Sequence, residues 1–118
     1  MVEPIIVIET PSFLRDCKDL LDDDEREALV AFLAYKPKAG DVIVGTGGIR
    51  KVRWARESEG KSGGFRVIYY YHSNEIPLFA LNVFAKNEKA NVTKAERNEL
   101  KKLSSMLKDT YKPKGKKK

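Results

Sequence analysis

The stretch 65–86, FRVIYYYHSNEIPLFALNVFAK, decides the fold. It holds two runs rich in aromatic and β-branched residues, 65–72 and 77–86, separated by Ser73, Asn74 and Glu75, which favour a turn. Each run has the length of a strand, and so short a link joins antiparallel neighbours. Alternation sets the faces of the first run. Phe65, Val67, Tyr69 and Tyr71 point one way, and Arg66, Ile68, Tyr70 and His72 point the other.

Upstream, the run 49–55, IRKVRWA, reads as a further strand. Lys51 and Arg53 share one of its faces, and Arg50, Val52 and Trp54 share the opposite one. One face of each strand is thus marked by cations. A charged loop, 56–64, joins this strand to the next, so the three strands form an antiparallel meander. A glycine-rich connection, 40–48, precedes them.

The N-terminal part alternates strand and helix. Residues 5–8 are apolar and β-branched and read as a short strand. Thr10 followed by Pro11 is a helix start, with Thr10 as cap and Pro11 in the first turn. Phe13, Leu14, Cys17, Leu20 and Leu21 then recur at helical spacing, which makes Cys17 a small core residue rather than a reactive thiol. A second helix begins near 22–24, where Asp22 and Glu25 form a capping box. Ala28, Leu29, Phe32 and Leu33 supply its buried stripe, and Pro37 and Gly40 end it. Thr93 with Glu96 marks the start of a last helix, with Leu100, Leu103, Met106 and Leu107 on one face. The tail 112–118, KPKGKKK, is basic and of low complexity and is expected to be disordered. The order is β-α-α-β-β-β-α. The expected fold is an α+β domain over 1–111, with the helices packed on one face of the sheet.

Composition narrows the function. At 118 residues the length fits one domain with its own core. No apolar run approaches the roughly 20 residues that span a bilayer, and the first residues lack the features of a signal peptide, so a cytoplasmic location without membrane contact is expected. One cysteine excludes an internal disulfide, and with one histidine, His72, a Cys/His zinc site within the chain is excluded too. No cofactor or metal is expected. The formal net charge is +6. Residues 1–45 carry five basic and ten acidic side chains, and residues 46–118 carry eighteen and seven. The acidic part reads as scaffold and the basic part as a surface for an acidic partner.

Familiar motifs fail on spacing. Gly60-Lys61-Ser62 matches the end of a phosphate-binding loop, but Ala55 stands where its first glycine belongs, and the segment links strands rather than opening a helix. The glycines of 45–48 lack the third spacing of a dinucleotide fingerprint. Asp22, Asp23, Asp24 and Glu25 are explained by a helix N-terminus. His72 has no second histidine to work with. What remains is a basic sheet surface, suited to a phosphodiester chain. Trp54 and Tyr70 are candidates for stacking on unpaired bases, with a place in the core as the alternative.

Two stretches, GTGGIRKVRWARESEGKSGGFRVIYYY (45–71) and FALNVFAKNEKANVTKAERNEL (79–100), resemble the RelE/ParE toxin superfamily, and within it the HigB-type branch of RelE-like toxins. The resemblance implies the toxin of a type II toxin–antitoxin pair. It implies a ribosome-dependent endoribonuclease that cuts messenger RNA in the A site of the 30S subunit without a metal and so inhibits translation. The ribose 2′-hydroxyl attacks the adjacent phosphate, a step that needs a base, positive charge on the phosphate and an acid for the leaving oxygen. By the same resemblance Lys51, Arg53, Arg66 and Lys86 are the catalytic set. Arg50, Arg56, Lys61 and Asn87 would grip RNA. The expected partner is a cognate antitoxin of the HigA-like, helix-turn-helix kind. The chain departs from the best-known RelE pattern at Asn87, where an arginine is usual, and at Thr93, where a tyrosine is usual, and Thr93 reads better as a helix cap. Two other readings stand beside this one: a ParE-like gyrase inhibitor that cuts nothing, and a basic RNA-binding module.

Overall fold

The computed structural model describes residues 3–54, 64–85 and 92–111. Among them the chain forms β1 (Val7–Glu9), α1 (Pro11–Leu20), α2 (Asp23–Tyr35), β2 (Asp41–Val42), β3 (Ile49–Trp54), β4 (Phe65–Tyr70), β5 (Leu78–Ala85) and α3 (Lys94–Thr110). The five strands make one sheet in the order β1-β5-β4-β3-β2. β3, β4 and β5 form the expected antiparallel meander. β1 joins its outer edge parallel to β5, and the short β2 pairs with β3 out of the glycine-rich connection.

Helix starts follow the sequence signals. Thr10 Oγ1 accepts from the N–H of Phe13, and Pro11 occupies the first turn of α1. Asp22 and Glu25 exchange hydrogen bonds of 2.8 Å each at the start of α2, where Asp23 and Asp24 also meet the positive end of the helix. Thr93 and Glu96 do the same for α3, so Thr93 is a cap. α1 also does the work of a strand. Beyond β1, its Ser12 Oγ donates to Leu81 O (2.8 Å) and its Asp16 Oδ2 accepts the N–H of Val83 (2.9 Å). Side chains one helical turn apart thereby satisfy the free edge of β5.

The sheet has a core on each face. α1 and α2 bury Phe13, Cys17, Leu29 and Leu33 against Val52, Val67, Tyr69, Leu78 and Ala80. On the other face α3 lays Leu100, Leu103 and Leu107 on Ile49, Ile68, Tyr70, Phe79 and Leu81. The expectation that the helices share one face therefore holds for α1 and α2 and not for α3. The reason is the alternation itself: a strand with aromatic and aliphatic residues at both parities needs cover on both sides.

The glycine-rich connection proves structural. Thr46, fully buried, donates to Ile43 O (2.7 Å) and accepts from Ile49 N–H (3.1 Å), closing the turn into β3. Ser104 Oγ of α3 donates to Thr46 O (2.7 Å). Gly47 has φ +76°, and a Cβ there would stand 2.6 Å from Ser104 Oγ. Only glycine accepts both that conformation and that approach.

Candidate nucleic-acid interface

Strand pairing decides which cations meet. Arg53 and Arg66 are direct cross-strand partners on β3 and β4, and Lys51 lies two residues along β3, opposite Ile68. All three are on the face that carries α3. Directly opposed side chains have Cβ atoms about 5 Å apart, and like charges there destabilise a sheet. Among the described residues neither arginine has a carboxylate within ion-pairing distance. Arg53 is exposed, while Arg66 is half-buried and its Nη1 is buried with no hydrogen-bond partner. An unsatisfied buried N–H costs about 1–3 kcal/mol, and hydrogen bonds to an ionic acceptor restore it best. Two opposed guanidiniums, a lysine beside them and a buried donor to spare make a strong receptor for an anion of several oxygens, such as a phosphate.

The exposure of this end follows from the length of the apolar stripe on α3. Leu107, Leu103 and Leu100 cover the row Ile49, Tyr70 and Phe79 and the residues next to it. Further toward its N-terminus α3 carries Glu99 and Glu96 instead, and a cleft of about 550 Å³ opens between helix and sheet. Ile68, Asn82, Val83 and Phe84 line its floor. Phe84 is the cross-strand partner of Arg66 on β5, so the row Arg53, Arg66, Phe84 runs from the cations into the cleft.

Not every expected residue joins this group. Arg50 points to the opposite face. Its Nη1 donates to Gly40 O (2.7 Å), and its guanidinium stands over the Tyr71 ring at 5.9 Å. It fastens the segment after α2 to the sheet, so the structure does not place it with the RNA-gripping residues. Lys86, Arg56, Lys61 and Asn87 lie outside the described residues. The stacking candidates resolve as core: Tyr70 is 1% exposed beneath α3, and Trp54 packs against the core under α1 and α2. His72 is exposed beyond the end of β4 remote from Arg66, its ring stacked on Tyr70 at 6.4 Å. Burial pushes the Cys17 thiol up to about 11, against the opposing pull of Arg26, so the residue is an inert core member, as the spacing implied.

Phe84 and Asn82 escaped the sequence reading for a reason. A bulge in β5 places Tyr69 opposite Ala80 but Ile68 opposite Asn82, which leaves Leu81 as the extra residue. Strict alternation from Ala80 would put Asn82 and Phe84 under α1 and α2. The bulge instead sends Val83 to that core and brings Asn82 and Phe84 to the cationic face. No local signal in the sequence marks it.

Fold and site together define a small α+β domain that presents a cationic sheet end beside an open cleft. Over residues 17–115 the chain matches the family model described as the RelE toxin of the RelE/RelB toxin–antitoxin system. It belongs to the RelE toxin family, and that membership implies an antitoxin as its partner. No helix among the described residues is long and apolar enough to cross a membrane.

Proposed function

We propose that this toxin is an endoribonuclease that cuts messenger RNA in the ribosomal A site and thereby stops translation. The observation that carries the proposal is the opposed pair Arg53 and Arg66 beside Lys51. A fold gains nothing in stability from such a pair, whereas a phosphodiester passing from its ground state to a dianionic pentavalent state gains a great deal. In the proposed reaction the ribose 2′-oxygen attacks the adjacent phosphorus and gives up its proton to Lys51 acting as base. The bond to the 5′-oxygen breaks, and that oxygen takes a proton. The products are a 2′,3′-cyclic phosphate and a free 5′-hydroxyl. Arg66 grips two phosphate oxygens with its planar fork. Arg53 and Lys51 hold the phosphate from the neighbouring strand and poise the attacking hydroxyl. Lys86, Arg56, Lys61 and Asn87, from the segments flanking these strands, complete the reading: Lys86 as the candidate proton donor to the leaving oxygen, the others as grips on the RNA backbone. The branch is the HigB-type one, and the antitoxin is a helix-turn-helix protein.

The test is cleavage of a defined message, free and loaded on ribosomes with an empty A site, with the ends mapped by primer extension. Cuts confined to ribosomes, insensitive to chelator, are the expected result. Arg66→Ala is expected to keep its fold and lose activity by at least about two orders of magnitude, the scale for removing a charge-stabilising donor. A folded Arg66→Ala protein that cuts at the original rate would remove Arg66 from the site. No cuts in either setting would turn attention to gyrase inhibition.

A further inference from the structure

Among the described residues, the polar side chains that line the cleft beside Arg66 are carboxylates and one amide. Asp16 Oδ2 accepts both the N–H of Val83 (2.9 Å) and Nδ2 of Asn82 (3.1 Å). A carboxylate only accepts, so the amide nitrogen of Asn82 must face Asp16, and its carbonyl oxygen is the end left for a ligand. Asp16 Oδ1 takes no hydrogen bond from a described residue. Glu99 adds a second carboxylate from α3, and Glu96, which already accepts from Thr93 N–H, adds a third. The lining between them is apolar: Ile68 and Phe84 from the sheet and Leu100 from α3.

These walls repel a phosphate and welcome a neutral ligand that is flat, apolar on its faces and rich in donors at its edge. The adjacent row Arg53–Arg66 takes phosphate. One residue step separates the two, since Phe84 is at once the partner of Arg66 and part of the floor. A cleft of about 550 Å³ holds a nucleobase with its ribose. Unpaired RNA bases are read in this way, by packing on a side chain and hydrogen bonds along the Watson–Crick edge.

We propose that the cleft is a nucleobase subsite of this toxin, and that Asp16, by holding Asn82 with its carbonyl outward, makes it select bases bearing an amino group. Guanine fits best, because its N1–H and N2 amine are adjacent donors that match one carboxylate. Uracil fits worst, because its single N–H is flanked by two carbonyls. Asp16 is thus a positioning residue, and Asn82 and Glu99 touch the base. The inference rests on the endoribonuclease reading and adds to it the base that lies next to the gripped phosphate.

The test uses the full chain on ribosomes programmed with messages that carry guanosine, adenosine, cytidine, uridine or inosine at each position of the A-site codon. Inosine is guanosine without the N2 amine. The wild type is expected to prefer guanosine to uridine at one position by about tenfold or more in kcat/KM, and guanosine to inosine by a smaller factor. Asp16→Leu removes the acceptor that turns the Asn82 carbonyl outward. Glu99→Gln replaces a carboxylate oxygen with a donor on the exposed surface of α3, where folding is not at stake. Both are expected to bring the guanosine-to-inosine ratio at that position close to one, with thermal stability of Glu99→Gln unchanged. A loss of stability alone would leave the ratio where it was. Ratios unchanged in both folded variants would overturn the subsite and leave the endoribonuclease reading intact. A wild type that cuts none of the messages would overturn both.

Discussion

The two faces of the sheet differ in how they place their arginines. On the face under α1 and α2, Tyr69 is fully buried, yet its hydroxyl accepts from Gly40 N–H (2.8 Å) and donates to Pro37 O (2.7 Å). Arg50, on the same side, spends its charge on a backbone carbonyl. On the other face, past the end of the leucine stripe of α3, Arg66 keeps a buried nitrogen without a partner and stands against Arg53. One face is closed, with Arg50 Nε its one buried side-chain nitrogen left over among the described residues. The end of the other is left in conflict, which is where binding energy for an outside group is stored.

The largest effect expected from this division is on the closed face. Phe13 is 0% exposed, and Phe13→Ala should cost about 3–5 kcal/mol in denaturant unfolding, the usual range for emptying a core aromatic site. The same unfolding curve for Arg66→Ala should stay in place or move toward greater stability, since a like-charge pair is relieved. An Arg66→Ala protein as destabilised as Phe13→Ala would erase the contrast between the faces.

A neighbouring pair of tyrosines sharpens the comparison. Tyr69→Phe strands the N–H of Gly40 and should cost about 1–3 kcal/mol. Tyr70→Phe, one residue on and facing α3, removes no hydrogen bond between described residues, and should change stability by about 0.5 kcal/mol or less. Equal losses in the two variants, measured by the same unfolding assay, would show that the hydroxyl network under α1 and α2 is not what seals that face.

The smallest effect is on the alkaline limb of the stability profile. Burial raises Cys17 from its ordinary 9.0 to about 11, and burial also raises Tyr69 and Tyr70 above the usual phenol value. Each group holds its proton more tightly in the fold than in the unfolded chain. Their contribution is therefore full below about pH 9 and is lost as the pH climbs through the folded values. Thermal unfolding should accordingly hold steady up to about pH 9 and weaken above it. A profile that is flat to pH 11 would show these groups to be less enclosed than their burial indicates.

Much of the fold was legible because its signals are local. Thr10-Pro11, Asp22 with Glu25, and Thr93 with Glu96 mark helix starts through bonds that span three residues. The facing of Arg66 against Val67 needs only the period of a strand. The site was legible in part. Lys51, Arg53 and Arg66 emerged as a set because the family resemblance names them together and alternation gives each strand one cationic face; that these faces coincide follows from the pairing. Arg50 and Trp54 could not be separated from a binding role by type alone, since an arginine that braces a loop and one that holds RNA look alike in one dimension.

The amino-acid sequence by itself determined the order of the main elements, the helix caps, the parity of β3 and β4 and the cationic character of one face of each, because all of these rest on interactions within a few residues. Tertiary structure alone decided the rest. It set Arg53 opposite Arg66, placed α3 on the far face from α1 and α2, and stopped its cover short of the cations. It also put the extra residue of β5 at Leu81, which carries Asn82 and Phe84 to the open end. Register and bulges are settled by pairings between residues far apart in the chain, so the partners that make a site are known only once the sheet has closed.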